Sequence, residues 1–115
     1  MPFVDVGSLA PFEKGVGWRA RLFHTGSVTI SHWEFDAGAS VHPHHHPQEE
    51  VWEIFEGVVE VTIGEETRVA RPGVVAVVPP NSVHSVRALE AGRAVVIDQP
   101  LRLGFGPEPE FHAAG

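Results

Sequence analysis

The stretch His44-His45-His46-Pro47-Gln48-Glu49-Glu50 puts three imidazoles and two carboxylates into seven residues. The chain has no cysteine, so a metal here is held by nitrogen and oxygen, the donors that divalent transition ions accept when thiolate is missing. In an extended backbone, side chains two apart share a face, so His44 and His46 point one way and His45 the other. A turn at Pro47-Gln48 brings the Glu50 carboxylate back toward those imidazoles, while Glu49 faces away. His42 continues the alternation and is either a further ligand or a residue at the mouth of the same site. One segment does not close a site by itself. His84 sits just past Pro79-Pro80-Asn81-Ser82, at the start of a strand able to lie beside the cluster and add a fourth donor. The competing reading is a solvated histidine-rich loop with His84 a lone strand histidine.

Three imidazoles and one carboxylate leave one or two positions open on a five- or six-coordinate ion, and open positions are what a catalytic metal requires. Such a donor set accepts one divalent transition ion, whether Fe, Mn, Ni, Cu or Zn.

The elements that must position these groups read as strands. From Trp18 to Phe23 and from Val28 to Phe35 the residues are largely β-branched, aromatic or alternating, with Gly26-Ser27 as the turn between them. Further strands are expected at Glu50 to Phe55, Val58 to Ile63, Thr67 to Val69, Val74 to Val78, Val83 to Ala88 and Arg93 to Asp98. Gly57, Gly64-Glu65-Glu66, Pro72-Gly73, Pro79-Pro80-Asn81 and Glu90-Ala91-Gly92 punctuate them. No segment carries an apolar period of 3.6 over a helical length, so the fold class is all-β, a sandwich or barrel of short strands. Residues 1–17 read as an N-terminal arm in which Phe3, Val4 and Val6 are able to form a short edge strand. Residues 18–103 read as the single domain, and 104–115 as a flexible tail.

Composition limits the partners. At 115 residues with 43% hydrophobic and 20% charged residues, the chain is an ordinary one-domain globular protein. A net charge of −7 with Lys14 as the only lysine leaves no basic face for nucleic acid or an anionic membrane surface. No run approaches the roughly 20 apolar residues of a membrane span, and the start lacks a signal-peptide pattern, so the expected address is cytoplasmic. Several strands are apolar on both faces, with Trp52 and Ile54 on one side and Val51 and Phe55 on the other. The outer face therefore expects a cover, from the arm, from a second copy in a homodimer, or from both.

The spacing of these residues resembles the small single-domain cupins. Gly38, His44, His46, Glu50 and Gly57 fill every position of the first cupin motif, and Gly73, Pro79 and His84 fit the second, with Asn81 where glycine is usual and Ala88 where asparagine is usual. The resemblance runs from about Trp18 to Asp98. It implies a double-stranded β-helix, or jelly roll, with a metal inside the barrel held by His44, His46, Glu50 and His84. A finer similarity, to bacterial cupins of pectin degradation that linearise unsaturated uronates, rests on His44 to Glu49, Glu56-Gly57, Thr62 to Thr67, Pro79 to His84, Leu89 to Gly92, Asp98 and Pro100 to Arg102. Those relatives tend to carry glutamine at the position of Glu50 and an aromatic residue soon after the aspartate, where this chain has Gln99-Pro100-Leu101.

The expected function is that of a metal-dependent enzyme acting on a small polar molecule, sugar acid-like by the resemblance. A metal-dependent dioxygenase or other oxidoreductase is one alternative, and a non-enzymatic binding or sensing module is another. Asp98 is the candidate general acid or base, and Arg102 the candidate partner of a substrate carboxylate. Trp18, Trp33 and Trp52 are read as core aromatics.

Overall fold

The computed structural model describes residues 2–105 and, as backbone, 112–113. Its strands are β1 (Phe12–Glu13), β2 (Trp18–Thr25), β3 (Thr29–Phe35), β4 (Ser40–His44), β5 (Glu49–Ile63), β6 (Glu66–Ala70), β7 (Val75–Val78), β8 (His84–Gln99) and β9 (His112–Ala113). Among the described residues the one helical element is a 3-10 turn at Val6–Ser8. Among the described residues no helix is long and apolar enough to cross a membrane.

Strict alternation fixes which face of each strand is inside. Trp18, Ala20, Leu22 and His24 of β2 are buried while Arg19, Arg21, Phe23 and Thr25 are not, and β3 repeats this with Thr29, Ser31, Trp33 and Phe35. The inward side chains pack as an aromatic nucleus. Trp18 meets Trp33 and Trp52 edge-on at ring separations of 6.1 Å each, and meets Phe35 at 5.3 Å. Burial of each such ring contributes about 1.5–3 kcal/mol.

β5 and β8 form a long antiparallel ribbon, paired from Glu49↔Gln99 to Ile63↔His84. This corrects the expectation of separate strands divided at Gly57 and at Gly92, because both strands run through those glycines. A Cβ on Gly92 would lie 1.9 Å from the Glu56 carbonyl oxygen, and one on Gly57 would lie 2.5 Å from that of Ala91. Gly57 also has φ +81°. Here glycine serves close backbone approach, not chain reversal, and shifts of register between Ile54 and Val59 bend the ribbon at the same place.

The bend makes two facing layers from one ribbon. The first half of β5 pairs with β7 and with the second half of β8, which continues to β3, β2 and β1. The second half of β5 pairs with β6 and with the first half of β8, which continues to β4. The result is the jelly roll.

The arm contributes its edge strand at Phe12–Glu13, paired with β2, and not at Phe3 to Val6. Phe12 packs on Trp33 at 6.0 Å, whereas Phe3 is 83% exposed with nothing to bury it. Most of the expected tail lies outside the described residues. Of the described part, Phe105 packs against Phe12 and Trp33, and β9 runs parallel to β2.

Candidate metal centre

Because the ribbon folds on itself, its two ends meet. His84 pairs with Ile63 along the ladder, and at ~3.3 Å per residue a straight strand would hold it roughly 40 Å from Glu50. Its Nε2 is instead 3.5 Å from Glu50 Oε2. β4 adds His44 directly opposite His84 in register, with ring centroids 4.2 Å apart. His46, in the turn between β4 and β5, approaches Glu50 Oε2 with its Nε2 at 2.6 Å.

The imidazoles are oriented alike. Nδ1 of His44 lies 2.9 Å from the His42 carbonyl, Nδ1 of His46 is 3.1 Å from that of Gln48, and Nδ1 of His84 is 2.9 Å from that of Ser82. A carbonyl only accepts, so each Nδ1 carries a proton, and a ring in its neutral form has its Nε2 lone pair free for an ion. The Nε2 atoms of His46 and His84 and Oε2 of Glu50 are buried and have only one another for company, with no hydrogen-bond partner elsewhere among the described residues. Buried polar atoms left unpaired cost about 1–3 kcal/mol each, so such a set needs a common partner, which a divalent cation supplies. Two groups have ligand atoms within 4.8 Å of one another, His44 with His46 and His84, and His46 with Glu50 and Asp98. The donor chemistry therefore fits a metal.

His42 is in neither group. It is exposed, its ring lies 5.9 Å from that of His44, and its carbonyl orients that ring. His45 and Glu49 are exposed as well.

Asp98 is fully buried, faces Glu50 across the ladder, and has both oxygens without a hydrogen-bond partner among the described residues. Burial first, and the adjoining Glu50 charge second, push its carboxyl up to about 8, with Arg102 opposing. For Glu50 burial acts in the same upward direction, but His46, His84 and the Trp52 N–H outweigh it and hold the group well below the usual carboxylate range. Burial alone would depress His84, and the Glu50 contact raises it instead. Burial lowers His44. Arg102 Nη1 lies 3.9 Å from Asp98 Oδ2 and 4.0 Å from Glu50 Oε2, too long for hydrogen bonds, and the guanidinium sits 4.2 Å over the Phe105 ring.

Three residues at this site were not identified as site residues from sequence. Trp52 donates its indole N–H to Glu50 Oε1, and its place two residues beyond Glu50 on the same face was the available signal. Thr29 Oγ1 accepts the Arg102 backbone N–H at 2.8 Å, and the Gln48 amide donates to the Leu101 carbonyl at 3.1 Å. These two anchor the segment that carries Arg102, from positions whose proximity no local pattern encodes.

Residues 31–100 match the family model described as a cupin domain. The chain belongs to the cupin family. Solved cupins share the architecture: an RmlC-like cupin from Shewanella frigidimarina superposes with a TM-score of 0.84 at 22% identity, covering 90% of this chain and 95% of that one. KdgF from a Halomonas species gives 0.81 at 25%, with 87% and 95% covered. An oxalate decarboxylase variant from Bacillus subtilis gives 0.77 at 18%, covering 84% of this cupin and 29% of the longer chain. No curated protein matches the sequence at a significant level.

A cavity of about 420 Å³ opens beside His44 and Glu50. Trp18, Trp33, Trp52 and Val96 form its buried wall, and Arg102, Phe105, Lys14, His42 and His45 its mouth. The tryptophans are thus both core and cavity wall, where the sequence suggested core alone.

Proposed function

We propose that this cupin is a metal-dependent enzyme that acts on a small carboxylate. The supporting observation is the set of unpaired buried donors, each imidazole tied through Nδ1, next to an open cavity. His44, His46, Glu50 and His84 would hold one divalent ion, which when bound supplies Lewis acidity toward a substrate oxygen. Trp52 keeps the Glu50 carboxylate in place, and the carbonyls of His42, Gln48 and Ser82 fix the imidazole tautomers.

Asp98 is the general acid or base in this reading. Burial favours its protonated form, and such a carboxyl can deliver a proton from Oδ2 and take one back. Arg102 receives the substrate carboxylate, since its guanidinium donors make no hydrogen bond among the described residues and its backbone is pinned by Thr29. Phe105, packed on Trp33, lines the mouth beside Arg102.

The sequence resemblance makes an unsaturated uronate the first substrate to assay. Dioxygen-dependent oxidation is the second reading, favoured by the aromatic wall of the cavity. The decisive experiment is metal quantification followed by turnover assays on both classes, in wild type and in Asp98→Asn. Turnover lost with metal retained supports the role of Asp98, and unchanged turnover removes it.

The homodimer is part of the same proposal. Val77, Val51, Ile97, Ile30 and Phe23 stand in one cross-strand row on the outer face of β7, β5, β8, β3 and β2, and Val77 is 53% exposed. A contiguous apolar row of this kind is a surface for self-association. Sedimentation at micromolar concentration tests it: a dimer is expected, and a Val51→Glu, Val77→Glu chain should be monomeric.

A further inference from the structure

The chemistry of the cavity wall narrows the substrate beyond a small carboxylate. We infer that the pocket selects a carboxylate with a flat, apolar body of about one ring, in preference to a polyhydroxylated acid. The inference rests on the proposed action on a small carboxylate and departs from the uronate as its first candidate, but its core, the ligand preference of the cavity, does not depend on the metal.

Hydrogen-bonding capacity carries the argument. A uronate brings several hydroxyls, and each one buried without a partner costs about 1–3 kcal/mol. Ser40 is the single neutral hydroxyl lining the cavity, and no asparagine, glutamine or aspartate lines it among the described residues. His42 and His45, which are able to hold a hydroxyl, are exposed at the mouth. The interior wall is mostly carbon; its polar groups are His44 and Glu50, which the ion would engage, and the unpaired Trp18 indole N–H. Trp18, Trp33 and Trp52 are 1%, 6% and 6% exposed and meet edge to face, so their rings are held rigidly before any ligand arrives. A preformed aromatic wall rewards a flat apolar partner and costs little ordering entropy.

The polar end is equally specific. The Arg102 guanidinium has no hydrogen-bond acceptor of its own among the described residues, and Lys14 Nζ, bound to the Phe105 carbonyl at 3.1 Å, adds a second positive charge at the mouth. One anionic head fits here. A volume of about 420 Å³ holds a ring with a short acidic arm.

Benzoate and galacturonate are the probes, each titrated into metal-free and Zn(II)-loaded protein, followed by calorimetry and by tryptophan fluorescence. Benzoate is expected to bind saturably and to perturb the fluorescence, with galacturonate weaker by about tenfold or more. Arg102→Gln and Trp33→Leu should each weaken benzoate by about tenfold while leaving metal stoichiometry unchanged. If Trp33→Leu does not fold, Phe105→Ala at the mouth takes its place, with an expected loss of about threefold. Equal or tighter binding of galacturonate, no benzoate binding, or benzoate binding indifferent to these substitutions overturns the inference. Metal stoichiometry separates the two claims. A chain that loads one ion yet prefers galacturonate sinks the ligand inference alone, and a chain that takes no ion yet prefers benzoate sinks the metal reading alone.

Discussion

Folded in half, the β5–β8 ribbon has two extremities, the bend at its middle and its joined ends, and they are built on opposite terms. At the fold, around Gly57 and Gly92, two backbones touch with no side chain between them, and the residues beside the bend, Val58, Val59 and Ile54, are apolar and buried. At the far end, where Glu50, His84 and Asp98 converge, the interior carries titratable groups with unpaired atoms. One extremity is spent on geometry and gains rigidity. The other accumulates polar groups whose burial is unfavourable until something binds them. The comparison teaches that the glycine corner is what makes the polar end possible, since without the fold-back His84 and Glu50 lie at opposite ends of a ladder.

The largest expected effect breaks the corner. Gly92→Ala forces a methyl group into the Glu56 peptide, and we expect a loss of more than about 4 kcal/mol, read by urea denaturation and by soluble yield. A variant that melts like wild type would show that the ribbon does not need the contact. Second is the polar end: His84→Ala should reduce metal affinity by at least about 100-fold, measured as stoichiometry after dialysis, from about one ion per chain in wild type. Stoichiometry near one in that variant would remove His84 from the ligand set. Third, stripping the metal with a chelator should lower the melting temperature on the order of 10 °C, because an ion bound only by the folded state stabilises it by mass action.

A smaller effect sharpens the contrast through pH. Asp98 has a folded-state value of about 8, above its ordinary 3.8, so between those values the metal-free folded chain holds a proton that the unfolded chain has released. Stability therefore falls as pH rises through that window, and the raised His84 contributes in the same direction above about 6.5. Glu50, depressed, acts oppositely, and its contribution is lost only as pH falls below the ordinary carboxylate range. Metal-free protein should be less stable at pH 8 than at pH 5 by on the order of 3–4 kcal/mol in urea melts, and Asp98→Asn should flatten the difference. Metal loading should shrink it too, since a nearby cation favours the carboxylate. The smallest effect is at Glu49, next to Glu50 in sequence but exposed: Glu49→Gln should change stability by less than about 0.5 kcal/mol and leave metal stoichiometry intact.

Much of this molecule was legible in the chain itself. Period-two alternation and turn chemistry are local, so the β-rich architecture and the separation of Glu50 from Glu49 could be read residue by residue, whereas His45, expected to point away, lines the mouth of the same cavity. The spacing of Gly38, His44, His46, Glu50 and Gly57 supplied the family resemblance that the match over residues 31–100 then established.

What the sequence hid was non-local. Glycine ordinarily signals a turn, and nothing near Gly57 or Gly92 says that each is empty because the other strand's backbone fills the space. The three tryptophans look like core from any window of sequence, and only their placement around one cavity makes them its wall. Thr29 and Gln48 hold the Arg102 segment across separations of 73 and 53 residues. The sequence by itself determined which side chains face inward, because that depends on the parity of neighbours along a strand. Only the tertiary structure decided which inward groups meet, because that depends on a ribbon bent in half about two glycines.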